Sequence, residues 1–135
     1  MQRVLVLCTG NSCRSIIAEA LINALGTDRL SAVSAGSKPT GFVHPQAVAT
    51  LKRNNIDPGT PLSQSWDVFA DNRFDYVITV CDRAAGETCP LFSGPCQRLH
   101  WSIPDPAELD GDEKQQQAFD AVFQQLKQRI ENELL

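Results

Sequence analysis

A chain of 135 residues, 42% of them apolar and 21% charged, has the composition of one globular domain over 1–135 and can bury a core without a metal or disulfide staple. Its formal net charge of −4 is the wrong sign for a nucleic-acid or anionic-membrane partner, so any anionic substrate needs positive potential supplied locally. No apolar run is long enough to span a bilayer or to serve as a signal-peptide core, which points to a cytoplasmic protein, with a monomer as the default state. In that compartment the five cysteines are expected as buried thiols, metal ligands or redox groups rather than static bridges.

Residues 4–7 are a continuous apolar run, as expected of a buried parallel strand. The polar turn 9–12 follows, and then a helix whose apolar positions are Ile16, Ile17, Ala20, Leu21, Ala24 and Leu25, with Gly26 at its end. A second strand is predicted over 30–35, closed by Gly36, and a second helix over 45–52, with Pro45 early and Ala47, Val48 and Leu51 apolar. Residues 58–61 form a loop, and 65–70 a short helix with Trp66 and Phe69 inward. The β-branched run 76–80 is the clearest strand. Residues 81–95 are long and rich in small and polar residues; 97–101 is a last strand; Pro104-Asp105-Pro106 is a rigid loop. Residues 115–135 form an amphipathic helix with Phe119, Phe123, Leu126, Ile130 and Leu134 on one face.

Strands alternating with helices predict an α/β fold, a parallel sheet with helices on both faces. Ligands of such sheets bind beyond the carboxyl ends of the strands. The loops after Leu7, Val80 and Trp101 meet there, bringing Cys8, Cys81 and Asp105 together.

The first of these loops is Cys8-Thr9-Gly10-Asn11-Ser12-Cys13-Arg14-Ser15. A cysteine ends a strand, a turn follows, and an arginine opens a helix. Helix N-termini and successive turn amides attract anions. Gly10 permits close backbone approach, and Arg14 can grip two oxygens of a tetrahedral oxyanion with its planar fork. The same field is expected to favour the thiolate of Cys8, with Ser15 close enough in sequence to donate to it. Cys13 belongs to the loop, and its side chain is read as packing away from the nucleophile. His44 is read as a cap or packing residue of the second helix, and His100 with Trp101 as support for the Asp105 loop.

This loop resembles the phosphate-binding loop of the low-molecular-weight protein tyrosine phosphatase superfamily, which includes thioredoxin-coupled arsenate reductases. The likeness extends to Ser34-Ala35-Gly36, Val43-His44-Pro45, Val80-Cys81, His100-Trp101 and Asp105-Pro106. It implies a four-stranded parallel sheet flanked by helices, with Cys8 as nucleophile, Arg14 as oxyanion clamp and Asp105 as general acid. It also implies an oxyanion site made by Thr9, Gly10, Asn11, Ser12, Cys13, Arg14 and Ser15. Asp105 lies between two prolines that fix its loop, where a carboxylic acid can protonate a leaving oxygen.

Reductase and phosphatase share those residues and differ in thiols. Arsenate takes two electrons, which one thiol cannot supply. The reductase likeness implies that Cys8 attacks arsenate, Cys81 attacks Cys8 as arsenite leaves, and Cys89 attacks Cys81 to leave an exposed disulfide for thioredoxin. The Gly- and Ala-containing stretch between Cys81 and Cys89 is expected to supply the motion. No bound cofactor is expected, only an external thiol: thioredoxin, or glutathione with glutaredoxin, since the Cys81–Cys89 spacing is one residue longer than in the best-known thioredoxin-coupled pattern. Ala107-Glu108 follows Asp105-Pro106, where phosphatases usually carry an aromatic for the substrate ring. Some such reductases hold a potassium ion; Asn11, Glu19 and Ser34 match part of that site, but 63–65 lacks a carboxylate, so weak potassium dependence at best is expected. A zinc site from Cys81, Cys89, Cys96 and His100 is disfavoured because no close cysteine pair exists.

Overall fold

The computed structural model describes residues 1–82 and 96–135. Cys89, and with it the expected motion between Cys81 and Cys89, lies outside the described residues. The elements in chain order are β1 (Gln2–Leu7), α1 (Arg14–Gly26), β2 (Leu30–Ala35), α2 (Pro45–Arg53), β3 (Tyr76–Thr79), β4 (Gln97–His100) and α3 (Asp112–Glu133). Short 3-10 helices occupy Trp66–Phe69 and Pro106–Glu108.

The strands form one four-stranded sheet in the order β2-β1-β3-β4, and every pairing is parallel. Alternation along β1 divides the core between two faces. Val4 and Val6 point, with Ile78, into the cluster built with α1, α2 and α3, which holds Ile16, Leu21, Phe119 and Leu126. Leu5 and Leu7 point the other way with Val77 and Phe74, under Trp66 and Phe69 of the first 3-10 helix. Among the described residues, helical segments therefore cover both faces, the α-helices on one and a 3-10 helix on the other.

β2 is an edge strand, and an open edge offers unpaired N–H and C=O groups. Helix α1 covers it. Asn23 Oδ1 accepts from Ala32 N–H at 2.8 Å while its Nδ2 donates to Ala32 O at 3.1 Å. One turn earlier, Glu19 accepts from the backbone and hydroxyl of Ser34.

Two expected details differ. Ala24 faces solvent and Ile22 is fully buried, because α1 packs against β2, α2 and α3 at once and so buries a wider, shifted arc than its spacing implied. Helix α3 starts at Asp112, ahead of the predicted 115, with Asp112 and Glu113 in the first turn, where the helix dipole favours acidic groups.

Chain order matters for the site. From β1 the chain passes to β2 on one side and then to β3 on the other, so a topological switch point lies between the carboxyl ends of β1 and β3. Those ends carry Cys8 and Cys81.

Candidate active site

The ladder between β1 and β3 pairs Leu7 with Thr79 and runs on through the bond from Val80 N–H to Leu7 O at 3.0 Å. Two residues further along each strand, Thr9 comes opposite Cys81. Thr9 N–H donates to Cys81 Sγ at 3.5 Å, and Thr9 Oγ1 lies 3.7 Å from the same sulfur. Cys81 also shares a hydrogen bond with Cys8. Both cysteines are buried, at 4% and 3% exposure.

The loop after Cys8 is held open from outside. Thr9 O accepts from Lys38 N–H at 3.0 Å, Gly10 O from Thr40 N–H at 3.1 Å and Ser12 O from His44 N–H at 3.0 Å. Peptide planes are trans, so carbonyls drawn outward turn the following N–H groups toward the inside of the loop, where they can converge on an anion. Asn11 makes the sharp bend at φ 47°, a left-handed conformation that is costly for most residues. Its buried amide pins it there. Nδ2 donates to Ser15 Oγ at 2.8 Å and Ser34 Oγ at 3.0 Å, and Oδ1 accepts from Gln64 N–H at 2.9 Å. At Gly36 a Cβ would stand 2.5 Å from the carbonyl oxygens of both Cys8 and Thr9, so only glycine lets β2 approach the loop this closely.

Arg14 opens α1 with its side chain 15% exposed. Nη1 donates to Ile103 O at 2.9 Å, and Nη2 lies 3.9 Å from Asp105 Oδ2. Its Nε is buried with no hydrogen-bond partner among the described residues. An unpaired buried donor costs on the order of 1–3 kcal/mol, which an anion's oxygen would offset. Asp105 caps the second 3-10 helix, accepting from Ala107 N–H at 3.0 Å. These groups line a cleft of about 820 Å³ that also takes in Ser12, Cys13, Lys38, Thr40 and Asp82.

The electrostatics modify the sequence expectation for Cys8. Arg14 does pull its thiol toward the thiolate, but the hydrogen bond with Cys81, and then burial, push it up by more. The structure therefore holds Cys8 as a protonated thiol against Cys81, in place of the thiolate expected from the loop alone. Cys13 also departs from its reading as a packing residue turned away. It packs into the core, yet it lines the same cleft with Sγ 3.8 Å from Asp105 Oδ1, and burial with the nearby carboxylate raises its thiol to about 11.

His44 caps α2, its Nδ1 accepting from Gln46 N–H at 3.1 Å, and its ring packs 5.1 Å from that of Phe119. His100 does not support the Asp105 loop through its ring. Its Nδ1 lies 2.7 Å from Thr79 Oγ1 and its Nε2 2.9 Å from Asp82 Oδ1, so it grips residues on either side of Cys81. Sequence reasoning missed this grip, the Thr9–Cys81 contact and the place of Lys38 in the cleft. Equal register past two adjacent parallel strands is the signal that would have found the second.

Among the described residues no group of three or more His, Cys, Asp or Glu could hold a metal. The residues matched to a potassium site already have protein partners. Asn11 Oδ1 is taken by Gln64 N–H, and burial raises Glu19 to about 7, so much of it is uncharged near neutrality. No helix among the described residues is long and apolar enough to cross a membrane.

A strand-end cysteine, a carbonyl-out loop and an arginine at the first turn of a helix define an oxyanion-binding class of site. Residues 3–134 match the low molecular weight phosphotyrosine protein phosphatase family, and the chain belongs to that family. Within it, the arsenate reductase of Bacillus subtilis strain 168 is 38% identical over 128 residues, covering 95% of this chain and 88% of that protein. A solved arsenate reductase in the reduced state superposes with a TM-score of 0.78 at 30% identity, covering 98% of this chain and 95% of that one. The thioredoxin-dependent arsenate reductase of Corynebacterium glutamicum superposes with a TM-score of 0.68 at 27% identity, covering 98% of this chain and 61% of that one.

Proposed function

We propose that this chain is a cytoplasmic, monomeric arsenate reductase, one domain over 1–135, that works by a thiol relay. The observation that carries the reading is the second thiol in the cleft: Cys81 lies against Cys8 and Thr9 at the carboxyl end of the neighbouring strand. Hydrolysis of a phosphate ester has no use for a thiol there. Reduction of As(V) to As(III) needs a second thiol, and Cys81 offers one within the same cleft.

In this reading the oxyanion displaces Cys81 from the loop amides and sits between them and the Arg14 fork. That separates the thiol pair, removes the largest influence raising Cys8, and leaves Arg14 to favour its thiolate. Cys8 Sγ attacks arsenic, and Asp105 protonates the departing oxygen, which leaves as water. Cys81 then attacks Cys8 Sγ. The S–S bond forms, the S–As bond breaks, and its electron pair stays on arsenic, which leaves as arsenite. Cys89 attacks Cys81 and frees Cys8, and an external dithiol, thioredoxin or the glutathione–glutaredoxin couple, reduces the resulting disulfide. Ser15, whose hydroxyl is fixed by Asn11, is the donor assigned to the Cys8 thiolate.

The test is arsenate-dependent NADPH consumption with thioredoxin and thioredoxin reductase, run beside a glutathione–glutaredoxin arm and a p-nitrophenyl phosphate control. Turnover in either reducing arm, lost in Cys81→Ser while nitrophenol release persists, is the expected result. Nitrophenol release with no arsenate turnover in either arm would make the chain a phosphatase.

A further inference from the structure

We infer that His100 is a positioning residue that braces residues 79–82 and so keeps the Cys81 thiol within reach of Cys8. The inference rests on the relay proposed above and names what keeps its second thiol in place. Cys81 lies one residue past the last ladder bond of β3, from Val80 N–H to Leu7 O, where strand pairing alone no longer fixes the chain. Its sulfur takes long hydrogen bonds from Thr9, at 3.5 and 3.7 Å, beside the one it shares with Cys8. A second hold comes from β4. His100 closes that strand, opposite Thr79 in the register, and reaches both Thr79 Oγ1 and Asp82 Oδ1.

The protonation pattern follows from the donors available. The Asp82 carboxylate only accepts, so Nε2 carries the hydrogen directed at it. In the neutral ring Nδ1 is then the acceptor, and the Thr79 hydroxyl donates to it. Ser102, two residues past His100, is a second donor to Asp82, and together they hold the Asp82 carboxyl below its ordinary range. The end of β4 therefore grips the residue that directly follows Cys81, while Thr79 anchors the same ring to β3. One imidazole spans the stretch in which Cys81 must stay while its thiol attacks Cys8 Sγ. In that step the S–S bond forms and the S–As bond breaks. The electron pair reduces As(V) to As(III), and the Cys81 proton ends on the departing arsenite.

The test uses the full chain with Cys89→Ser, so that the relay stops at the Cys8–Cys81 disulfide. With saturating arsenate in a single turnover, His100→Ala should slow appearance of that disulfide about fivefold, the loss expected for one net hydrogen bond. The half-saturating arsenate concentration should stay unchanged. Asp82→Ala should slow it similarly, the double variant should be no slower than either single one, and His100→Gln should recover part of the rate. Without arsenate, iodoacetamide should label Cys81 faster in His100→Ala, with Cys96 as the internal reference. A wild-type rate and unchanged Cys81 labelling in His100→Ala would overturn the brace, as would a rate loss matched by an equal rise in half-saturating arsenate, which marks general damage to the cleft. A parent that makes no Cys8–Cys81 disulfide overturns the relay itself; labelling then judges the brace alone, and unchanged labelling overturns that too.

Discussion

Cys8 and Cys13 flank one loop, and both are nearly closed to solvent, at 4% and 7% exposure. Burial pushes both thiols up and Arg14 pulls both down. They differ in the last neighbour. Cys8 faces Cys81, a thiol at the end of the adjacent strand that can move away or form a bond. Cys13 faces Asp105, a carboxylate fixed by Ala107 N–H at the start of a 3-10 helix. Separating Cys81 from Cys8 leaves Arg14's pull in place, whereas Asp105 is held beside Cys13 by its own cap to Ala107 N–H. Among buried thiols on one loop, a replaceable neighbour distinguishes the reactive one better than depth does.

The largest effect expected from this contrast is at Cys8 itself. Cys8→Ser should abolish arsenate reduction and p-nitrophenyl phosphate hydrolysis together, whereas Cys13→Ala should keep both within about tenfold, since it loses packing and one weak sulfur hydrogen bond. Equal losses in the two variants would break the comparison. Next in size is Arg14→Lys, which keeps the charge and removes the fork that presents Nε and Nη side by side. A fall in kcat/KM for arsenate of roughly a hundredfold is expected, the scale of losing a preorganised oxyanion donor. A fall of only a few-fold would mean that charge alone suffices and that the unpaired Nε has no role in binding.

The sequence made the first half of this contrast readable and hid the second. An apolar run ending in Cys8, a Gly-Asn turn and an arginine at a helix start are local features, and local features define the loop. The convergence of Cys8, Cys81 and Asp105 was also readable, because the carboxyl ends of parallel strands share one side of a sheet. What hydrophobic spacing does not carry is which side chain meets which. The placement of Thr9 opposite Cys81 depends on the register of two strands far apart in the chain. The Cys13–Asp105 contact depends on rotamers across a cleft, and the grip of His100 on Thr79 and Asp82 on the pairing of β3 with β4. The same reason misplaced Ala24: helical periodicity gives an apolar face but not the width of the surface that covers it.

A smaller effect tests the cause assigned to the raised Cys8 thiol. Cys81→Ala removes its largest contribution, so Cys8 should titrate lower and react with iodoacetamide at lower pH, while Cys13 stays near about 11. Peptide-resolved alkylation across pH reads both in one sample. A Cys8 titration that does not move would assign the shift to burial and erase the distinction between the two thiols.

The smallest effect concerns stability in alkali. Folded Cys13 keeps its proton up to about 11, while an unfolded cysteine releases it near 9.0. Between those values the folded state binds more protons than the unfolded one, so stability falls as pH rises. At about 1.4 kcal/mol per unit, a shift of this size contributes at most roughly 3 kcal/mol, fully present below the unfolded value and lost once the folded thiol ionises. Cys8, also raised, adds a fall of the same sign. Urea midpoints followed from neutral to strongly alkaline pH should therefore decline less steeply in Cys13→Ala than in the parent. The variant is expected to be less stable near neutrality, because the alanine leaves a small cavity, so the slope is the diagnostic quantity rather than the midpoint. Parallel curves would mean that Cys13 ionises in the folded state as readily as in the unfolded chain, and that Asp105 and burial do not hold its proton.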